Sequence, residues 1–276
     1  MAMRCGILWF VHIPKTGGTT VSDWLRQHGH ANGWGPIRTL AKGPYRMHDS
    51  GHLEAGLPTT RVIRSALRSE NATARQQSPV WRAIWRDATR RDGRLPRFIV
   101  KTHTGSLGTG SYLLTSGLFG QLAMPLARRG CRLTVVTVVR EPAERTASWA
   151  VASRVRREAF RRLVAHIGNA QSQYLWYGDD HPHPAQAPTN LSSKVFSLLR
   201  NRVAVCGVTD RLDAFLAKVA LLLGWRASAP RARSNVARKT AMAVFRANYT
   251  REDAEVVENA TWLDRQVYRA CKQRWG

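Results

Sequence analysis

The sequence predicts an α/β fold: a central parallel sheet of about four to five strands flanked by helices on both faces, in a single domain over residues 1–276. Three observations carry that expectation. Short apolar runs of strand length alternate with longer segments of helical periodicity. The run 133–139 is almost entirely β-branched, as a parallel strand buried on both faces requires. No break in composition divides the 276 residues, enough for one large domain or two small ones.

Taken in order, residues 6–13 form a short apolar run that stops at Pro14 and reads as a buried strand. Residues 19–27 continue as a helix with Val21, Trp24 and Leu25 on one face. Residues 29–60, rich in Gly, Pro and His, read as loop. A helix is expected over 78–91, with Val80, Ile84 and Ala88 aligned, and a second strand over 97–102. Residues 112–128 are helical in character, although Gly117, Gly120 and Pro125 interrupt them. The strand 133–139 follows, expected at the centre of the sheet. Next come a long basic helix over 143–167, the start of another at 169–177, and a loop over 179–188. A fourth strand is expected at 203–208. The chain ends with helices over 212–223 and 252–272, separated by a basic loop at 226–239. Trp9, Trp24 and Trp149 are expected in the core.

Composition narrows the function. There are 43 Lys and Arg against 18 Asp and Glu, a formal charge of +25, and 36 of the cations are Arg. Such a field attracts polyanions, and the guanidinium suits bidentate recognition of carboxylate, phosphate and sulfate. GC-rich coding accounts for a preference for Arg over Lys but not for the scarcity of acids. No apolar run approaches the ~20 residues of a membrane-spanning helix. No internal period or low-complexity tract is present. The four cysteines, Cys5, Cys131, Cys206 and Cys271, have no metal-ligand spacing. Cys131 and Cys206 border apolar runs and are expected as small core residues rather than a bridge. Compartment signals diverge. The chain shows no signal peptide or anchor ahead of the first strand, which fits a cytoplasmic protein. Four of its eight Asn, at 71, 190, 248 and 259, nevertheless lie in N-x-[ST] sequons where chance gives about one, which favours a glycoprotein of the secretory lumen.

In open parallel sheets ligands bind beyond the carboxyl ends of the strands, so the segments after each strand carry the functional argument. After the first comes Pro14-Lys15-Thr16-Gly17-Gly18-Thr19-Thr20 and then a helix. Glycines that admit a close backbone, free N–H groups and a helix N-terminus together form an anion cradle. A nucleoside-triphosphate loop would place its Lys after the glycines; here Lys15 precedes them. After residue 139 comes Arg140-Glu141-Pro142-Ala143-Glu144-Arg145, with Ser148 further along the helix. An ATPase would place a magnesium-binding Asp there. Arg140 instead predicts direct anion binding, with no metal in the site. After residue 102 stands His103, a candidate general base on the same cleft.

These residues resemble the sulfotransferases that use 3′-phosphoadenosine 5′-phosphosulfate, especially the Golgi carbohydrate enzymes such as the heparan sulfate 2-O- and 6-O-sulfotransferases. HIPKTGGTT is similar to their 5′-phosphosulfate loop, VVREPAERTASWA to their 3′-phosphate motif, and VKTHTGS to the segment bearing the base. GVTDRLDAFLAKVALLLGW and SNVARKT resemble the late strand-helix and the basic loop that closes on the nucleotide. The resemblance runs over about residues 6–240. It implies a P-loop-like fold with that nucleotide as co-substrate and no metal. Lys15, Thr16, Gly17, Gly18, Thr19 and Thr20 would hold the phosphosulfate, Arg140 and Ser148 the 3′-phosphate, and Arg238 and Lys239 would cover it. Lys15 and His103 would be catalytic. The implied acceptor is a hydroxyl of an acidic polysaccharide such as a glycosaminoglycan. Arg154, Arg156, Arg157, Arg161 and Arg162 are candidates to line its groove, with Arg154, Arg157 and Arg161 on one face. The implied location is the Golgi lumen, with the membrane reached only through an anchor this chain does not carry. Two rival classes are a P-loop nucleotide kinase, disfavoured by the place of Lys15 and by Arg140, and a basic nucleic-acid-binding protein. No RNA-recognition or zinc-finger signature supports the latter, and nucleic acid is not expected as a partner.

Overall fold

The computed structural model describes residues 5–40, 86–88, 95–102, 118–152, 155, 159–162, 164, 168–177, 190–226, 243–245 and 247–276. Five strands form one sheet: β1 (Gly6–Val11), β2 (Ile37–Leu40), β3 (Arg97–Thr102), β4 (Arg132–Val139) and β5 (Val203–Val208), in the order β2-β3-β1-β4-β5. Every adjacent pair is parallel. The helices are α1 (Gly18–Ala31), α2 (Leu118–Arg128), α3 (Pro142–Ala152), α4 (Ala170–Tyr177), α5 (Leu191–Asn201), α6 (Leu212–Leu223), α7 (Arg251–Ala260) and α8 (Trp262–Trp275). The predicted fold class is therefore the observed one.

All six residues of β1 are buried, because strict alternation sends its side chains into two different cores. Ile7, Trp9 and Val11 join Val135 and Val139 of β4 under α2, α4, α5 and α8. Leu8 and Phe10 join Val136 and Val138 under α1 and α6, where Val21, Trp24, Leu25, Phe215 and Val219 meet them. A third cluster, with Ala147, Phe160, Phe245 and Val257, packs α3 against α7. Each such fully buried aliphatic or aromatic side chain contributes roughly 1.5–3 kcal/mol relative to exposure.

Several expectations are corrected. Ile37–Leu40, read as loop, is the edge strand β2, paired in parallel with β3. Strand β4 is an interior strand buried on both faces, as expected, with β1 beside it in the middle of the sheet. Leu191–Asn201, for which no element was expected, is a helix that buries Val195, Leu198 and Leu199 at helical spacing. The long basic helix over 143–167 is interrupted: α3 ends at Ala152, and Val155 lies outside any helix. The last helix is two, because Thr261 closes α7 with φ −111° and ψ 24° before α8 begins. Trp9 and Trp24 are in the core as expected, but Trp149 is half-buried and lies under the Arg145 guanidinium, 4.9 Å from its ring centre.

Cys131 and Cys206 are buried as expected, and Cys5 and Cys271 are buried too, but the expectation that they form no bridge is wrong. Cys5 is bonded to Cys131, and Cys206 to Cys271. Strand pairing explains the first: Gly6 lies opposite Arg132, so the residues just before them are neighbours. The second ties β5 to α8.

Candidate functional site

The chain runs from β1 out to β2 and β3 on one side of the sheet, then crosses to β4 and β5 on the other. Strand order thus reverses at β1, and the crevice this opens lies beyond its carboxyl end, between β3 and β4. The segment that fills this place is the loop 12–17. Its backbone is unusual: Lys15 has φ 68° and Gly17 φ 82°, with Thr16 between them. Left-handed residues in a short loop turn successive N–H groups toward one concave side, a geometry that binds anions.

Gly17 is also the N-cap of α1. No side chain caps that helix, and its first turn carries no acid. The partial positive charge of that helix end is therefore met by no capping side chain and no first-turn acid. Gly18 is required for a different reason: a Cβ there would collide with the imidazole of His12, which is buried beneath the loop and stacks on Phe10 at 5.7 Å. Thr16 is fully buried, and its hydroxyl donates to the Ile13 carbonyl at 2.7 Å. Its role in this geometry is to shape the loop. Thr19 is exposed and Thr20 half-buried on the first turn of α1.

Two arginines hold the loop from the β4 side. Arg140, at the end of β4, donates from Nη1 to the Lys15 carbonyl at 3.3 Å and from Nε to Glu144 at 3.4 Å. Arg145, 2% exposed, donates from Nε to the Pro14 carbonyl at 3.3 Å. Burial and the two nearby guanidinium groups, Arg140 and Arg145, depress the Lys15 pKa below its ordinary value. Three cations thus converge on one short loop. From the β5 side, Thr209 accepts no role in this charge but fixes the frame: its hydroxyl lies 3.2 Å from the Thr16 carbonyl and 3.1 Å from that of Val139.

Arg140 is itself held by a residue absent from the sequence reading. Gln171 of α4, fully buried, accepts from the Arg140 N–H and donates to its carbonyl, both at 2.8 Å. The side-chain amide acts here as one more strand partner at the end of β4. Behind it, Asp264 accepts from the Gln171 and Ser172 N–H groups at 2.9 and 2.7 Å and from the Ser172 hydroxyl at 2.6 Å, capping α4. Asn169 returns the favour to α8, accepting from the Leu263 and Asp264 N–H groups at 2.8 and 3.1 Å. Burial raises the Asp264 pKa against the pull of these donors and of Arg145. Glu141 caps α3 through the Glu144 N–H at 2.8 Å, with Pro142 at the first helical position.

Of the residues the sequence singled out, Lys15, Thr16, Gly17, Gly18, Thr19, Thr20 and Arg140 lie together at this end of the sheet. Ser148 is half-buried on α3, eight residues and just over two turns beyond Arg140. His103, Arg238, Lys239, Arg154, Arg156 and Arg157 lie outside the described residues; Thr102, the residue before His103, ends β3 beside Val11 of β1. Arg161 donates to Asp253 and Glu252, each at 2.8 Å, and so ties its segment to α7. Among the described residues no group of His, Cys, Asp and Glu could hold a metal ion, and no described helix is long and apolar enough to cross a membrane. Arg145, His12 and Gln171 went unassigned in the sequence. Arg145 had a visible signal, a second Arg five residues after the first on a helix starting at the same strand end, whereas Gln171 had none.

No protein-family model matches the chain, and no curated protein does. Among solved structures it is similar to the crystal structure of a sulfotransferase from Alicyclobacillus acidocaldarius, at 15% identity and a TM-score of 0.37, over 95% of this chain and 98% of that one. A likeness of that degree assigns no function.

Proposed function

We propose that the chain is a sulfotransferase that moves the sulfuryl group of 3′-phosphoadenosine 5′-phosphosulfate to a hydroxyl of an acidic polysaccharide. The observation that carries this reading is the convergence of Lys15, Arg140 and the uncapped start of α1 at the strand-order reversal. It is a cationic, Gly-shaped cradle whose neighbouring strand ends in Arg rather than in a metal-binding Asp. The resemblance of HIPKTGGTT and VVREPAERTASWA to the donor-binding motifs of that family supports the same donor.

In this reading the first-turn N–H groups of α1, with Thr19 and Thr20, bind the 5′-phosphate. Lys15 contacts the sulfate and the bridging oxygen. Arg140 and Ser148 take the 3′-phosphate, and Arg238 and Lys239 complete the enclosure. The acceptor oxygen attacks sulfur in line; its new O–S bond forms as the bond from sulfur to the phosphate oxygen breaks. Negative charge accumulates on that departing oxygen, where Lys15 stabilises it. The hydroxyl proton passes to His103, and adenosine 3′,5′-bisphosphate leaves. Positioning and charge carry such a transfer, as they do in phosphoryl transfer. Two disulfides favour an oxidising compartment, and the sequons at Asn190, Asn248 and Asn259, all exposed, agree with a secretory lumen such as the Golgi.

The test is thermal stabilisation by nucleotides. Adenosine 3′,5′-bisphosphate raises Tm by mass action, and 5′-AMP, which lacks the group bound by Arg140 and Ser148, raises it much less. Equal shifts would remove the 3′-phosphate assignment. Transfer of labelled sulfate to desulfated glycosaminoglycans should persist in excess EDTA; a strict magnesium requirement would favour a nucleotide kinase instead.

A further inference from the structure

The excess positive charge is not spread evenly over the described surface. In a parallel sheet all strands begin at one edge, and helices that follow strands end there. That amino edge is opposite the anion loop, separated from it by the length of β1, roughly 20 Å at ~3.3 Å per residue. Arg97 and Arg132 open β3 and β4, and both lie opposite Gly6 of β1 in the strand register. Arg128 ends α2, Arg200 is in the last turn of α5, Arg202 immediately precedes β5, and Arg226 follows α6. All six are exposed. The described residues 28–36, 95–97, 126–132, 199–204, 223–226 and 274–276 at this edge include no Asp or Glu; Asp87, beside Ala88 whose carbonyl accepts from Arg129, is paired with Arg38 and Arg86. The opposite edge does hold acids: Glu141, Glu144, Asp210 and Asp264 all lie at or behind strand ends there.

Helix dipoles explain part of this arrangement, since cations complement the negative C-terminal ends of helices. They account for Arg128 and Arg200. They do not account for Arg97 and Arg132, which begin strands. The residues are also all Arg, the side chain whose planar fork matches sulfate and carboxylate oxygens in pairs.

We propose that the amino edge of the sheet is a second polyanion-binding surface, an exosite that holds an acidic polysaccharide chain by its sulfate and carboxylate groups. This assignment of the occupant rests on the sulfotransferase reading; the binding surface itself does not. A polymer held ~20 Å from the cradle raises the local concentration of acceptor units near the site. Short acceptors, unable to span that distance, gain nothing.

The test compares the wild type with R128Q/R132Q/R200Q/R226Q and with a control, R26Q/R211Q/R251Q/R269Q, that removes the same number of exposed charges elsewhere. Heparin is the probe, by salt elution and by titration. The expected result is a Kd about tenfold or more weaker for the edge variant at ~0.15 M salt, with a shallower salt dependence. The control should lose much less. The Tm shift caused by adenosine 3′,5′-bisphosphate should be unchanged, and in transfer assays KM should rise for the long chain only, not for a tetrasaccharide. Equal losses from the edge and control variants would overturn the proposal, because net charge alone would then explain binding. Tighter wild-type binding to duplex DNA or to phosphatidylserine vesicles than to heparin would overturn the polysaccharide assignment. If the fourfold variant does not fold, R132Q/R200Q serves in its place, with a smaller loss expected and an unchanged Kd counting against the edge. Because heparin binding needs no donor, failure of the nucleotide assignment and failure of the exosite are read separately.

Discussion

Lys15 holds a backbone conformation that a residue with a side chain adopts at a cost of roughly 1–2 kcal/mol (φ 68°). The loop keeps that strain because Arg140 and Arg145 bind the carbonyls of Lys15 and Pro14. It also keeps three cations close together, which on top of burial lowers the Lys15 pKa. Both costs make sense if an anion completes the site. Lys15→Gly should therefore stabilise the ligand-free protein by about 0.5–1 kcal/mol of relieved strain, read as a higher Tm. It should also weaken binding of adenosine 3′-phosphate 5′-phosphosulfate and lower kcat/KM by ~10²-fold or more. Lys15→Ala should show the functional loss without the gain in Tm. A fall in stability with Lys15→Gly would mean the loop is not strained. The pH dependence follows from the same geometry. With a pKa depressed below 10.5 by burial and by Arg140 and Arg145, Lys15 is charged below that depressed value and neutral above it. Donor affinity should hold at lower pH and decline as pH rises through the depressed pKa. Lys15→Arg, which stays charged, should lack that alkaline decline in a titration series. The loop residues were legible in the sequence because they are contiguous and their types state their chemistry. His12 was not, since only the folded contact with Gly18 reveals that the imidazole and the glycine need one another.

Helix α4 is short, eight residues, and would be marginal alone. It stands because its first N–H groups are satisfied by Asp264 of α8, while Asn169 does the same for α8. The pair explains why the expected single helix over 252–272 is two. A new helix can start at Trp262 once its N–H groups find Asn169, a partner more than ninety residues away in sequence. No local pattern encodes that. The short strand β2 was hidden for another reason: four residues after Gly35 and Pro36 are too few for periodicity to show. The functional consequence of the α4–α8 pair passes through Gln171. Asp264→Ala should cost about 2–4 kcal/mol, since it strands buried N–H groups at the α4 terminus and loses three hydrogen bonds. Gln171→Ala should destabilise less and instead raise the KM for donor, as Arg140 loses its support at the end of β4. Gln171→Glu is the sharper probe, because it retains the acceptor for the Arg140 N–H but loses the donor to its carbonyl. A Gln171→Ala variant with unchanged donor affinity would show that Arg140 is placed without Gln171. On α7, Asp253 is buried yet held below the ordinary carboxylate range by Arg161 and Thr250. Its stabilisation is present above the unfolded carboxylate pKa and is lost as pH falls through the depressed folded value. Asp253→Asn should accordingly flatten the acid end of the stability profile, which a urea series between pH 3 and 6 would register.

At the scale of the molecule, two covalent links tie the framework together away from the anion loop. Cys5–Cys131 joins the starts of β1 and β4 across a sequence separation of 126, and Cys206–Cys271 joins β5 to α8 across one of 65. Sequence spacing pointed away from both, because each pair is distant in the chain and lies in no motif. Strand register would have found the first, since Cys5 and Cys131 each sit one residue before an opposed pair; nothing short of the α8 packing would have found the second. Their effects should differ. The first link staples the two neighbouring strands that carry Lys15 and Arg140 at their far ends, but the sheet hydrogen bonds already fix that register. The second holds α8, and through Asp264 and Gln171 it supports Arg140. Closing loops of these lengths restricts the unfolded chain, so each link contributes about 2–5 kcal/mol. For a chain this long, that is on the order of 5–15 °C in Tm. Cys5→Ala/Cys131→Ala should lower Tm with little change in donor Kd at temperatures where the protein remains folded. Cys206→Ala/Cys271→Ala should lower Tm and also weaken donor binding, because α8 can then move relative to β5. Calorimetry with and without adenosine 3′,5′-bisphosphate, run on both double variants, measures the two quantities together. If the two variants lose Tm equally and neither loses donor affinity, α8 does not support the site, and the route from Cys271 through Asp264 to Arg140 is wrong.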